Sequence, residues 1–172
     1  MAPPCPPLTT PPAQRLTAPC YESIMTSLTH QGEGPSFPYA GQPIHILAGQ
    51  EGQPPGFAAM ELTVPARFAG PIPHAHDEFD EAIYVLSGRL MVGGDGAPEE
   101  AQPGSMFVAP RGQRHGFSNP FGQDALILGL WGPPEPALAF MRDVGAALRA
   151  DAPPDPDQMR EIYHRHASRL LP

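Results

Sequence analysis

Gly70-Pro71-Ile72-Pro73-His74-Ala75-His76-Asp77-Glu78-Phe79-Asp80-Glu81-Ala82-Ile83-Tyr84-Val85-Leu86-Ser87-Gly88 is the stretch on which the reading of this chain turns. In an extended strand, side chains alternate between faces, so His74 and His76 point the same way and can offer two imidazoles to one ion. Glu81 comes after a short acidic turn and opens the apolar run Ala82-Ile83-Tyr84-Val85-Leu86, from which its carboxylate can return to the same point. Asp77 and Glu78 read as a solvated loop. Asp80 is the nearest rival to Glu81 as a ligand, but Glu81 is the one that directly precedes the apolar run.

A second segment supplies a third imidazole. In Gly104-Ser105-Met106-Phe107-Val108-Ala109-Pro110-Arg111-Gly112-Gln113-Arg114-His115-Gly116-Phe117-Ser118-Asn119, His115 follows a proline-and-glycine turn at the end of an apolar strand, a suitable way to carry it across a barrel. One His-x-His alone is weak, and this chain holds a decoy. His164 and His166 repeat the spacing, but on a helix a separation of two residues puts them about 200° apart and unable to share an ion. They read as an exposed helix face.

Together the two segments resemble the two motifs of the cupin superfamily. The second fits G-x5-P-x-G-x2-H-x3-N at Gly104, Pro110, Gly112, His115 and Asn119, and the first fits H-x-H-x4-E-x6-G at His74, His76, Glu81 and Gly88. One departure is that three residues separate Gly70 from His74 rather than five, which touches only the turn into that strand. The resemblance covers roughly residues 40–131, and the chain as a whole is similar to small bacterial cupins of the quercetin dioxygenase kind.

That resemblance implies a mainly β fold, a jelly-roll β-barrel, with one divalent metal held by His74, His76, Glu81 and His115. Three neutral imidazoles and a carboxylate suit Fe, Mn, Ni, Cu or Zn, and with a six-coordinate ion leave two positions for water, O2 or a chelating substrate. By strand alternation Ile83 and Val85 share the face of Glu81, and Phe117 that of His115, so the expected substrate pocket is apolar and suits a small hydrophobic or aromatic compound. Trp131, Phe107 and Met60 read first as core and second as pocket lining. The leading functional expectation is a metal-dependent dioxygenase acting on a small aromatic or enolisable substrate, with Glu81 as catalytic base. The alternatives are redox-neutral cyclisation or isomerisation on the same scaffold, and a cupin that binds a small molecule without converting it.

Composition is consistent with one such domain. The 172 residues include 26 prolines and 18 glycines, a chain broken too often for long helices. Short β-like runs recur at Ile44–Ala48, Phe57–Val64, Glu81–Leu86, Arg89–Val92, Met106–Ala109 and Ala125–Trp131, as in an antiparallel sandwich or barrel. Ser87-Gly88 reads as a tight hairpin between two of them.

After Pro133-Pro134 the apolar spacing becomes helical. Leu138, Met141, Gly145 and Leu148 form one stripe, and a second helix opens with Asp155 as N-cap, Pro156 at its first position, and Met159, Ile162 and Tyr163 as its buried face. The expected layout is a disordered proline-rich leader over 1–35, the barrel over 36–134, and two C-terminal α-helices within 135–172, packed on the barrel exterior or a partner subunit.

The net charge is −8 and every cationic residue is an arginine, which argues against nucleic acid or an anionic membrane as partner. Cys5 and Cys20 both fall in the leader, so neither a disulfide framework nor a thiolate site is expected in the folded region. No secretory signal is read at the N-terminus, giving a cytoplasmic expectation, and Met25 is a plausible alternative translation start. Small cupins commonly pair through sheet edges or terminal segments, so the resemblance also implies a homodimer.

Overall fold

The computed structural model describes residues 27–50, 55–148 and 152–171. Cys5, Cys20, Met25 and most of the expected leader lie outside them. The elements run β1 (Ser36–Tyr39), β2 (Gln42–Ala48), β3 (Ala58–Val64), β4 (His74–His76), β5 (Asp80–Ser87), β6 (Leu90–Gly93), β7 (Glu99–Ala101), β8 (Met106–Ala109), β9 (Gly116–Ser118), β10 (Ala125–Gly132), α1 (Pro134–Ala147), α2 (Pro156–Arg165) and β11 (Ser168–Leu170).

The strands build the two walls of a jelly-roll barrel. One wall is a six-stranded antiparallel sheet in the order β1-β2-β3-β10-β5-β8. The other joins β7-β6-β9 to β11-β4. The seam in this second wall is the isolated bridge between His74 and His115. His74 N donates to His115 O at 2.9 Å, and His115 N donates back to His74 O at 2.7 Å. The two histidine-bearing segments are thus tied backbone to backbone before any side chain is considered.

Period-2 alternation decides what points into the barrel. On β5 the buried residues are Glu81, Ile83 and Val85, and on β10 they are Ala125, Ile127 and Trp131, with Gly129 between. The two strands pair directly, placing Trp131 opposite Glu81 and Gly129 opposite Ile83. Gly129 has a steric reason to be glycine, since a Cβ there would overlap the Trp131 ring, which lies back along its own strand. Asn119 ties a surface turn: its amide nitrogen donates to Val64 O and Gln123 O at 3.1 and 2.9 Å, and its Oδ1 accepts from Phe121 N at 3.1 Å. It is fully buried, so each of these bonds matters to the turn.

Ser87-Gly88 does not form a hairpin. β5 pairs with β10 and β8, whereas β6 pairs with β7 and β9, so the chain turns a corner here from one wall to the other. Gly88 adopts a φ of +73° and a Cβ on it would meet the backbone of Asp124 and Ala125. The same dipeptide chemistry serves a corner as well as a hairpin, because both need a left-handed residue.

The two C-terminal helices form as read. α1 buries Leu138, Phe140, Met141 and Val144, and Gly145 lies against the Pro38 carbonyl of β1, where a Cβ would overlap. α2 is capped by Asp155, whose side chain accepts from Asp157 N at 2.9 Å, and buries Met159, Ile162 and Tyr163. Buried residues of both helices belong to the same apolar cluster as the inward residues of the strands. After α2 the chain returns to the sheet as β11, which pairs with β4 in the register Ser168 to His76 and Leu170 to His74. No helix among the described residues is long and apolar enough to cross a membrane.

Candidate metal centre

Four side chains converge inside the barrel. His74 and His76 come from β4, Glu81 from the start of β5, and His115 from the turn that leads into β9. One ligand atom from each lies within 4.8 Å of all the others. Donors about 2.1 Å from a common ion lie within about 4.2 Å of one another, so the cluster is close to the size of a coordination shell. All four are buried, with exposures of 4, 1, 6 and 2% for His74, His76, Glu81 and His115.

The imidazoles are turned to present the same nitrogen. His74 Nδ1 donates to Ile72 O and His115 Nδ1 to Gln113 O, both at 2.9 Å. His76 Nδ1 lies 2.7 Å from Ser168 Oγ, and that hydroxyl donates onward to His166 O at 3.1 Å, which leaves its oxygen to accept from His76. With a proton fixed on each Nδ1, each Nε2 carries a lone pair, the arrangement by which outer hydrogen bonds orient metal-bound histidines. Among the described residues His76 Nε2 and His115 Nε2 are buried with no hydrogen-bond partner. Such orphaned atoms are costly unless something binds them. A divalent transition metal meets that need, and the N3O donor set fits one.

Charge within the cluster agrees with this. Burial, reinforced by the neighbouring His115 and His76, pushes His74 down to about 3, and burial lowers His76 as well. Burial opposes the Glu81 carboxylate, yet the contacts from His115 and His76 hold it well below its ordinary range. Its Oε2 is 3.5 Å from His76 Nε2 and 3.6 Å from His115 Nε2. Burial works against a charged His115 too, but Glu81 outweighs it and raises that imidazole. The carboxylate is therefore anionic and His74 neutral, as ligation requires.

Asp80, the rival ligand, faces away from the site. It accepts from the backbone and guanidinium of Arg111 at 2.8 and 2.7 Å on the half-exposed outer side of β5. Asp77 pairs with Arg169 at 2.8 Å. His164 is exposed, and His166 Nε2 lies 2.8 Å from Asp143 Oδ2, so neither histidine of the decoy pair belongs to the cluster.

The cavity that His74 and Glu81 line is also lined by Ile83, Phe117 and Trp131. Val85 is not among the lining residues: it shares the inward face of β5, but it is four residues beyond Glu81, about 13 Å along a strand, and is buried in the core. Met60 is fully buried core, and Phe107 is partly buried on β8, on the edge of the sheet. Neither lines the cavity.

Several contacts that shape the site were not foreseen from sequence. The Trp131 indole Nε1 donates to Glu81 Oε2 at 3.0 Å. Ser168 holds His76 from the last strand. Phe79 stacks on His76 with ring centroids 4.1 Å apart, Phe140 meets its edge at 4.7 Å, and Tyr163 meets His74 at 5.2 Å. Phe140, Met141, Val144 and Tyr163 bring α1 and α2 over the mouth of the barrel. The enclosed space is about 20 Å3, room for about one water molecule. Two wider clefts of about 320 and 370 Å3 border β6, but none of the four ligands lines either.

Comparison with known proteins places this geometry. Residues 60–131 match the family model described as Cupin domain. Germin-like protein subfamily 2 member 3 of Arabidopsis thaliana is 34% identical over 92 residues, 51% of this chain and 41% of that protein, so the chain spans about two fifths of its curated relative. Among solved structures, KdgF from Halomonas sp. superposes with a TM-score of 0.56 at 26% identity, covering 66% of this chain and 99% of that one. The polyketide cyclase RemF from Streptomyces resistomycificus superposes with a TM-score of 0.54 at 24% identity, covering 63% and 80%, a likeness of fold. The stretch that matches the Cupin domain model, residues 60–131, contains all four converging side chains, His74, His76, Glu81 and His115.

Proposed function

We propose that this protein is a metal-dependent enzyme that binds one divalent transition metal through His74, His76, Glu81 and His115 and acts as a dioxygenase on a small enolisable oxygen compound. The observation that carries the reading is the closed, buried cluster of three Nε2 atoms and one carboxylate opening onto an apolar cavity. When bound, the metal would supply Lewis acidity and, if redox-active, electrons for O2 chemistry.

The chain's own residues do the rest. Ile72, Gln113 and Ser168 hold the imidazoles in one tautomer. Trp131 fixes Glu81 Oε2, and that carboxylate, anionic in the buried cluster, can take a proton from a substrate carbon or hydroxyl. Phe140, Met141 and Tyr163 cover the cavity and exclude water, which protects reactive species from side reactions. With room for about one water molecule, the cavity must widen for any substrate, less for compact enolisable compounds than for multi-ring aromatics, which need α1 and α2 to withdraw.

Redox-neutral isomerisation or cyclisation is the second reading, supported by a specific feature: Tyr39 and Tyr163 line the cavity with Glu81, and their phenols, kept protonated by burial, can donate to a developing enolate without O2 while Glu81 moves the proton. An oxygen electrode separates the two. With metal-loaded protein and a panel of small β-dicarbonyl and phenolic compounds, the dioxygenase reading expects turnover with one O2 consumed per substrate and none under argon. Equal turnover with and without air selects the redox-neutral reading, and no turnover of any compound in either condition contradicts both.

A further inference from the structure

Two tyrosines in the core of this barrel have no structural reason to be tyrosine. Tyr39 on β1 and Tyr163 on α2 are 6% and 3% exposed, and both line the cavity next to Glu81 and His74. Among the described residues, no hydrogen bond joins either hydroxyl to a protein acceptor. A buried tyrosine ordinarily finds a partner for its O–H, and phenylalanine fills nearly the same space without that need. Their rings are well packed, Tyr163 against Phe140 at 5.0 Å and against His74 at 5.2 Å, so packing accounts for the rings and leaves the hydroxyls unexplained. The remaining walls, including Leu62, Ile83, Ile127 and Val144, are apolar.

We propose that the hydroxyls of Tyr39 and Tyr163 are the polar half of the substrate site and donate hydrogen bonds to an oxyanion, an enolate or carboxylate oxygen of a small ligand seated beside Glu81. This rests on the metal reading of the cluster, since a ligand drawn to a cation presents an electron-rich oxygen. A phenol beside such an oxygen acts as donor, and hydrogen bonds to charged acceptors are the stronger kind. Two donors from separate elements, β1 and α2, also make closure of the helix over the barrel depend on what is bound.

The test uses Tyr39→Phe and Tyr163→Phe in the full chain, with cobalt(II) as metal and acetohydroxamate, a small bidentate oxyanion, as probe. Three quantities are read: cobalt per chain, acetohydroxamate affinity from the visible cobalt spectrum, and the melting temperature of the metal-free protein. The expected result is parental cobalt content in both variants, probe affinity lower by about tenfold or more in each, and melting temperatures equal to or above the parent, because no protein hydrogen bond is lost. Unchanged probe affinity at full cobalt content overturns the proposal. So does a melting temperature several degrees lower, which would reveal a structural partner. A parent that takes up no cobalt overturns the metal reading and this proposal with it, and the cobalt count tells that failure from the others.

Discussion

Glu81 Oε2 is approached from three sides, by Trp131 Nε1 at 3.0 Å, His76 Nε2 at 3.5 Å and His115 Nε2 at 3.6 Å. The indole bond comes from outside the ligand set and fixes the carboxylate without neutralising it. Outer partners of this kind typically alter metal affinity by 10- to 100-fold when removed. Trp131→Phe is accordingly expected to keep the fold and weaken metal binding by about tenfold, measured by competition with a chromophoric chelator; affinity equal to the parent would show the bond to be incidental. The four side chains that converge were legible in the sequence because each sits at a fixed offset from a turn or strand start, and alternation carries His74, His76 and Glu81 to one side. Trp131 was legible as core first and pocket lining second, but not as a partner of Glu81. Its contact with Glu81 depends on the β10 to β5 register and on the space left by Gly129, neither of which is a local property of the chain.

At the scale of elements, the same division holds. The six β-like runs became strands because alternation and flanking glycines act over a few residues, and both helices formed because caps and apolar spacing do too. Ser87-Gly88 was misread because the left-handed glycine a hairpin needs is also what a corner between walls needs. β11 was not foreseen: three residues, Ser168–Leu170, carry no strand signal of their own and are extended only because β4 is there to pair with. That pairing matters to the site, since Ser168 faces His76. Deleting residues 168–172 is expected to lower metal affinity by more than Ser168→Ala, which removes only the hydroxyl, with Ser168→Ala costing about tenfold. Both are measured by metal titration. If the deletion binds metal as tightly as the parent, β11 has no part in positioning β4.

For the molecule as a whole, the core and the site are one structure, so stability and ligation share the same titrating groups. His74, held at about 3 by burial, returns to about 6.5 on unfolding. Between those values the unfolded chain binds the extra proton, so this group's contribution is present above about pH 6.5 and is lost as pH falls toward 3. His76, lowered by burial, has the same sign. Glu81, held low, adds a further loss below its ordinary range. His115, raised by Glu81, has the opposite sign and offsets part of the effect. The metal-free protein should therefore lose melting temperature steadily from pH 7 to pH 4, read by calorimetry across that range. A flat profile would mean the imidazoles are not held neutral by burial. Bound metal should reduce this loss until protons displace it, because a ligand of the native state stabilises it by mass action.

All of these expectations depend on four side chains from β4, β5 and the turn before β9 sharing one ion. The most direct test is an anomalous difference map from crystals of the protein loaded with manganese or zinc, recorded at the metal's absorption edge. One peak is expected per chain, in contact with His74, His76 and His115 through Nε2 and with the Glu81 carboxylate, and it should be absent in His115→Ala. A map with no peak at that position, or with the metal bound at the surface and the four side chains unchanged around an empty centre, would contradict the account.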